Sequence, residues 1–425
     1  AVTLGTTLAR ATARSITDTG VALKPFAPVN LRAQRDGSRV NVTWDRRTRL
    51  SYRWPSTSAV PLGEAAEAYD VELLDGPTLL QTVRVSEPLL AITGAREVDR
   101  LSSSIFFATV SGGVRYGIST DSGAAYLLGI DSAGLVSSSL LVGDSVVAAI
   151  EVGGSYYVSA YVVNNSVIPA AYVSATVYRI DLANPGVIAA QRSAGALSDT
   201  SHLAHDGTHL WITERTTGTL RKLDASTLAS VSVHTVGGLP VGLAHAGGVL
   251  YYFDSATSEL VAWDIATTTE VWREAMGATW FSDGATILVK GSLLFVAGTG
   301  GYLTVRAVAD GALVHDYPDF RSDLRQVLFV DADDDVLASQ LVANQGFSVL
   351  RLDGATGALV ETFTISNGPI CLIDGDVVYV REFQGTANDF DAVGYELIPD
   401  LTGYTVRVYQ ISATVGRGYP ASLTL

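Results

Sequence analysis

Three groups of side chains in this sequence have the types and spacing to do chemistry. The first is His202, His205 and His209 in HLAHDGTH, since imidazoles placed close together can ligate a transition metal. Positions 202 and 205 fall on opposite sides of a strand, however, and the Asp-Gly-Thr before His209 reads as a hairpin turn. Ordinary strand and turn histidines are the plainer assignment. The second group is VDADDDV, where Asp331, Asp333, Asp334 and Asp335 cluster hard oxygen ligands. Asp331, Asp333 and Asp335 are the candidate Ca²⁺ set. The run lacks the Gly and the distal Glu of an EF-hand, so an exposed inter-strand turn is the plainer assignment. The third is the arginine cluster Arg46, Arg47, Arg49 and Arg53 in WDRRTRLSYRW. It suits contact with a neighbouring subunit or domain, against a solvated loop or pairing with Glu64 and Glu67.

Other signals stop short of a site. GTGG at 298–301 follows a strand, but no helix follows to complete a phosphate-binding loop. Cys371 is the sole cysteine, so no intrachain disulfide can form, and its apolar setting PICLI marks a buried structural thiol. No G-x-S-x-G, HExxH or paired-cysteine motif occurs. Two carboxylates suffice for glycoside hydrolysis without any sequence motif, so a polysaccharide-degrading enzyme stays open as an alternative. No catalytic residue and no cofactor are assigned.

The elements that must position these residues are strands. Gly is frequent (41 residues), only 17% of residues are charged, and Val, Thr, Ser and Tyr recur in short runs bounded by turns. Only Leu8 to Ile16 reads as a short helix. Residues 1–20 lack the apolar core of a signal peptide, and no apolar run is long enough to span a membrane. The start at Ala1 rather than Met fits either Met removal or a piece of a longer protein.

Charge divides the chain. Residues 1–95 carry +2, residues 96–395 carry −17 and residues 396–425 are neutral, for a total of −15. An acidic middle argues against nucleic acid or an anionic membrane as partner. Within it a unit recurs every 40–50 residues: an apolar run, then Asp, then a polar turn. The instances end at Asp131, Asp181, Asp224, Asp264, Asp310 and Asp353. Four strands per unit is the pattern of a β-propeller blade, and seven blades are expected, the last completed by a strand from about residues 89–99. Each Asp can accept hydrogen bonds from the amides of its turn.

The near-neutral ends read as one interrupted sandwich. Val40, Val42 and Trp44 alternate with polar neighbours. So do Tyr69, Val71 and Leu73 against Asp70 and Glu72, and Tyr404, Val406 and Val408 against Thr405, Arg407 and Tyr409. Five strands upstream and two at the C-terminus make seven. The expected fold is therefore all-β. Residues 1–25 form a lead-in linker, 26–94 and 397–425 the two parts of a sandwich, and 95–396 an inserted propeller.

These ends resemble known proteins. Trp44 is similar to the core tryptophan of a fibronectin type III domain, and Leu401 and Tyr404 to its tyrosine corner at shorter spacing. LKPFAPVNLRA (23–33), VTWDRRTR (42–49), VPLGEAAEAYDVELLDG (60–76) and VRVYQISATVGRGYPA (406–421) resemble the C-terminal fibronectin-like domain of tail tip (hub, host-specificity) proteins of siphophages and gene transfer agents. The resemblance covers about 120 residues at the two ends. It implies a virion-borne homotrimer at the tail tip, assembled with other hub proteins and facing a host receptor, glycan or protein. It assigns no catalytic residue. Host attachment is the expected function; polysaccharide degradation and a structural spacer are the alternatives.

Overall fold

A computed structural model of the chain describes residues 24–36, 39–47, 66–92, 95–101, 105–121, 124–164, 171–193, 202–276, 285–298, 302–317, 328–342, 346–365, 368, 370–383, 390–397, 401–412 and 416–425. All regular structure among them is strand. The Leu8 to Ile16 helix and most of the 1–25 linker lie outside the described residues. The chain forms two compact units, one from Ala1–Ile92 with Asp400–Leu425, the other from Thr93–Pro399.

The first unit has two antiparallel sheets. Three strands, Val29–Asp36, Arg39–Asp45 and Leu89–Ile92, make one. Four make the other, in the order Gly416–Thr424, Thr405–Ser412, Tyr69–Asp75, Thr78–Val85. The central pairing joins the two ends of the sequence: Tyr69 faces Gln410, Val71 faces Val408 and Leu73 faces Val406. Val40, Val42, Trp44, Tyr69, Val71, Leu73, Val406 and Val408 are all buried, as period-two strands with one inward face require. Trp44 meets Tyr69 edge-on, ring centroids 5.2 Å apart. Leu401 is buried. The Tyr404 N–H donates to the Leu401 carbonyl (3.1 Å) and the Tyr404 carbonyl accepts from Leu425 N–H (2.8 Å), so this pair is fixed through the backbone.

The other face of this four-stranded sheet holds Asp70 and Glu72, which alternation marks as exposed but which are buried. Arg84 donates to Asp70 at 2.7 and 3.1 Å, and Arg417 reaches across from the last strand to both carboxylates. The Arg417 guanidinium also stacks over Tyr409, 5.0 Å from its centroid. The bonds from Arg84 hold the Asp70 carboxyl below its usual range.

The second unit is a ring of seven four-stranded antiparallel sheets. Blades 1 to 6 follow in chain order over 106–143, 145–193, 203–235, 240–275, 285–317 and 328–365. Blade 7 takes Ile370–Asp374, Val377–Phe383 and Phe390–Leu397 and is completed by Ala95–Leu101, which pairs with Phe390–Leu397. The completing strand thus starts later than residue 89, because Leu89–Ile92 pairs instead with Arg39–Asp45. Seven apolar clusters lie between successive blades. That of blades 7 and 1 joins Leu101, Ile105, Leu128 and Ile130 to Cys371, Leu372 and Tyr379. A single sheet with two apolar faces cannot bury both; a closed ring of them can.

Blades are also bolted by hydrogen bonds. Tyr116, Tyr157, Trp272 and Tyr317 each donate a ring O–H or N–H to a backbone carbonyl of the next blade, at Leu182 (3.3 Å), Ala225 (3.0 Å), Val308 (3.1 Å) and Gly357 (2.8 Å). The turns between first and second strands of blades 1, 2 and 4 are Gly-Gly pairs, Gly112–Gly113, Gly153–Gly154 and Gly247–Gly248. All six glycines have positive φ, as a two-residue hairpin of matching twist demands.

In blades 1 to 6 an aspartate at or after the third strand caps its turn. Asp224 Oδ1 accepts from the amides of Ser226 (3.0 Å) and Thr227 (2.8 Å) and from the Thr227 hydroxyl (2.8 Å). Asp264 and Asp353 repeat the threonine bonds with Thr267 and Thr356. Asp131, Asp181 and Asp310 accept from the amides of Ala133, Ala183 and Ala312. Asp310, however, is displaced. Ala307 makes the backbone bonds to Gly311 and Ala312 that Asp353 makes to Gly357 and Ala358, so Ala307 holds the repeat position in blade 5. Hydrogen bonds from these threonines hold the carboxyls of Asp224, Asp264 and Asp353 below the usual range. A folded-state pKa below the unfolded one adds stability above the unfolded value, lost as pH falls through the folded value. Denaturant midpoints measured from pH 7 downward should therefore fall below about pH 4, and less steeply in an Asp224→Asn, Asp264→Asn, Asp353→Asn variant.

Candidate functional site

The acidic run of blade 6 is built around a guanidinium. Asp331 Oδ1 accepts the backbone amides of Asp333 (3.0 Å) and Asp335 (2.9 Å), which folds the turn. Arg351, on the third strand of the same blade and cross-strand from Leu337, sits between the carboxylates. Its Nε lies 2.8 Å from Asp335 and 3.2 Å from Asp331, and Nη2 pairs with Asp333. Asp334 turns the other way, at φ 74°, and pairs with Lys290 of blade 5. Burial pushes the Asp331 carboxyl up, against the pull of Arg351. The Asp331, Asp333 and Asp335 set is thus a carboxylate cage for Arg351. Beside it a cleft of about 310 Å³ runs between blades 6 and 7, walled by Asp331, Asp333, Arg351 and Asp376 over Leu337, Ile373, Val378 and Leu397.

The histidines separate as the turn reading requires. Asp206, Gly207 and Thr208 form the turn between the first two strands of blade 3. His205 Nδ1 accepts the Gly207 amide (3.0 Å), and in blade 4 His245 Nε2 accepts the Gly248 amide (3.3 Å). Glu151 fills the same place in blade 2, accepting from Gly154 (2.7 Å). Both histidines are held below the usual imidazole range, by burial foremost. His209 lies 3.7 Å from Asp206. His202 belongs elsewhere, on the wall of a cavity of about 250 Å³ at the ring axis with Phe107, Val147, Leu203, Leu243, Ile287 and Leu328. Among the described residues no group of three or more His, Cys, Asp or Glu is arranged to hold a metal ion.

Burial pushes the Cys371 thiol up to about 12, and its Sγ donates to the Tyr379 carbonyl. Of the arginine cluster, Arg46 pairs with Glu67 at 2.7 Å and Arg47 lies over Phe26, 4.9 Å from its centroid. Glu67 in turn accepts from the Tyr69 hydroxyl at 2.6 Å. Arg49, Arg53 and Glu64 lie outside the described residues, as do positions 299–301 of GTGG.

Sequence reasoning missed the cations that hold the carboxylates. For Arg351 a signal existed. It stands two residues before the repeat aspartate Asp353, hence near the end of a third strand, and third-strand ends meet first-to-second turns on one face of the ring.

No family model matches the chain, and no curated protein matches it. Solved structures do. The β-propeller domain of Cps50 (Swd1) from Myceliophteria thermophila is similar at TM-score 0.53 and 11% identity, over 72% of this chain and all of that one (100%). The ring of Thr93–Pro399 is a β-propeller. BamB from Moraxella catarrhalis aligns at TM-score 0.43 and 14% identity, over 78% of this chain and 92% of that one. The computationally designed Ika8 protein aligns at 0.46 and 12%, over 88% and 99%. At these identities the likeness concerns the fold alone, and the propeller is the part of it established by the first comparison.

Proposed function

We propose that this chain is the host-attachment portion of a phage or gene-transfer-agent tail tip. In this reading the propeller is the receptor-binding module and the seven-stranded unit a fibronectin type III-like mount. The observation that carries the reading is the pairing of Tyr69–Asp75 with Thr405–Ser412. A complete sandwich forms from residues on both sides of Thr93–Pro399, so the propeller occupies one of its connections. A propeller tolerates this because its own ends meet, Ala95 facing Leu397. The sandwich ends carry the wording that resembles tail tip proteins. The propeller supplies a broad, rigid loop surface, which lowers the entropy cost of binding. Trimeric display on the virion would add avidity.

The test is a particle whose tail protein lacks residues 93–399, with the mount rejoined by a short linker. Assembly should persist while adsorption to host cells is lost. Loss of assembly would make the propeller a spacer, and unchanged adsorption would sink the attachment reading.

A further inference from the structure

Three imidazoles and a carboxylate, His205, His209, His245 and Asp206, gather at the seam between blades 3 and 4. The first-to-second turns of these blades carry matching segments, HDGTH from His205 and HAGGV from His245. In each, the ring closes the turn by accepting a backbone amide, Gly207 N–H at His205 Nδ1 (3.0 Å) and Gly248 N–H at His245 Nε2 (3.3 Å). The His245 ring also donates to the backbone of His205 across the seam. A ring that accepts at one nitrogen and donates at the other is a neutral imidazole. An imidazolium carries N–H on both nitrogens and accepts at neither, so a single proton taken from solvent removes the bond that closes either turn.

More than one amide hangs on each turn. Ile265 N–H, just past the third strand of blade 4, donates to the Gly248 carbonyl (3.0 Å). In blade 3, Asp206 accepts the amides of Thr208 (2.9 Å) and His209 (2.7 Å) and the Trp211 indole N–H (2.8 Å). Trp211 in turn packs on Trp263 of blade 4, ring centroids 5.8 Å apart. The His205 ring lies 6.1 Å from that of Tyr157 in blade 2. Blade 2 offers a contrast. There Glu151 holds the place of His245 and accepts the Gly154 amide at 2.7 Å. A carboxyl group keeps an acceptor oxygen whether or not it is protonated.

We infer that His205 and His245 form an acid-sensitive latch at this seam: neutral, they hold the first-to-second turns of blades 3 and 4 closed, and protonated, they release them. The inference stands independently of the attachment reading. The charged and titratable groups facing the rings pull in both directions. Asp206 faces both and favours their protonation, while His245 and His209 oppose it at His205. Burial outweighs Asp206 at both rings and holds them below the usual imidazole range. A histidine lowered in this way contributes stability that is fully present above the unfolded value of about 6.5 and is lost as pH falls through the folded value. The window therefore lies above the one in which the capping aspartates titrate.

The experiment follows the Gly207, Gly248 and Gly154 amides by NMR in the full chain labelled with ¹⁵N-glycine, from about pH 7.5 down to about pH 5. Gly207 and Gly248 should lose their hydrogen-bonded amide shifts with midpoints below about 6.5. Their solvent exchange, divided by the intrinsic rate at each pH, should rise by up to roughly tenfold per pH unit below that value. Gly154 should stay unmoved. In a His205→Asn, His245→Gln variant an amide oxygen stands near each accepting nitrogen and does not titrate, so all three amides should hold. Gly207 and Gly248 amides that persist through the window overturn the latch. So does a common shift of all three glycines, or a variant that titrates like the parent. If the variant does not fold, the histidine ring resonances of the parent decide: ring and glycine midpoints that coincide support the latch, and midpoints that differ overturn it.

Discussion

Gly238→Ala should destabilise the propeller by roughly 2–5 kcal/mol, while the neighbouring Gly237→Ala costs about 1–2 kcal/mol. Both glycines have positive φ, 74° at Gly237 and 62° at Gly238, so both substitutions incur left-handed backbone strain. They differ in what a Cβ meets. At Gly237 it enters open space, whereas at Gly238 it falls on the Asp254 carboxylate. That carboxylate is only 4% exposed. It accepts the amides of Leu239 (2.9 Å) and Ala256 (3.0 Å) and pairs with Arg273. Displacing it leaves buried donors and a buried charge short of partners, a loss added to the strain. Equilibrium urea unfolding of the two variants beside the parent checks this; equal losses would mean that the carboxylate moves aside freely.

Asp254 also shows where sequence reading stops. The repeat aspartates were legible, because turn chemistry is local. The carboxylate Asp254 needs a neighbour fifteen residues back, at Leu239, and nothing local announces it. Asp70 and Glu72 make the same point at longer range. Their alternation with Tyr69, Val71 and Leu73 marks an outward face, yet Arg417 covers them from 347 and 345 residues away. Only once the closing strands are placed beside Tyr69–Asp75 does the cover become visible.

Register was the other limit. Asp310 looked like its five counterparts because an apolar run and a glycine flank it. The blade-5 turn instead closes on Ala307, whose amide and carbonyl make the bonds that define the turn. A backbone-defined turn tolerates Ala at its first position, and a side chain two or three residues on can still cap it. The aspartate pattern therefore marked six of the seven blades while misplacing one of its own turns. The Asp331 run is a turn, but its partner was not visible locally. Carboxylates close in sequence suggest a cation, and the cation present is the protein's own Arg351.

Trp44→Ala is expected to cost the first unit about 3–5 kcal/mol, the usual penalty for deleting a large buried aromatic. Trp44 is 3% exposed and its ring stands at 74° to that of Tyr69, an edge-to-face contact between the three-stranded and four-stranded sheets. Tyr69 is in turn tied through Glu67 to Arg46, so the cavity left by the indole opens beside a residue whose hydroxyl is already committed and whose ring is not free to collapse inward. Trp44→Phe keeps a ring edge near Tyr69 and should lose less. Among the described residues, the propeller packs its apolar side chains in clusters between successive blades. Differential scanning calorimetry should therefore show the transition of the first unit lowered in Trp44→Ala and the propeller transition unmoved. If both fall together, the propeller depends on the first unit for stability, and two units that unfold in separate cooperative transitions are the wrong description of this chain.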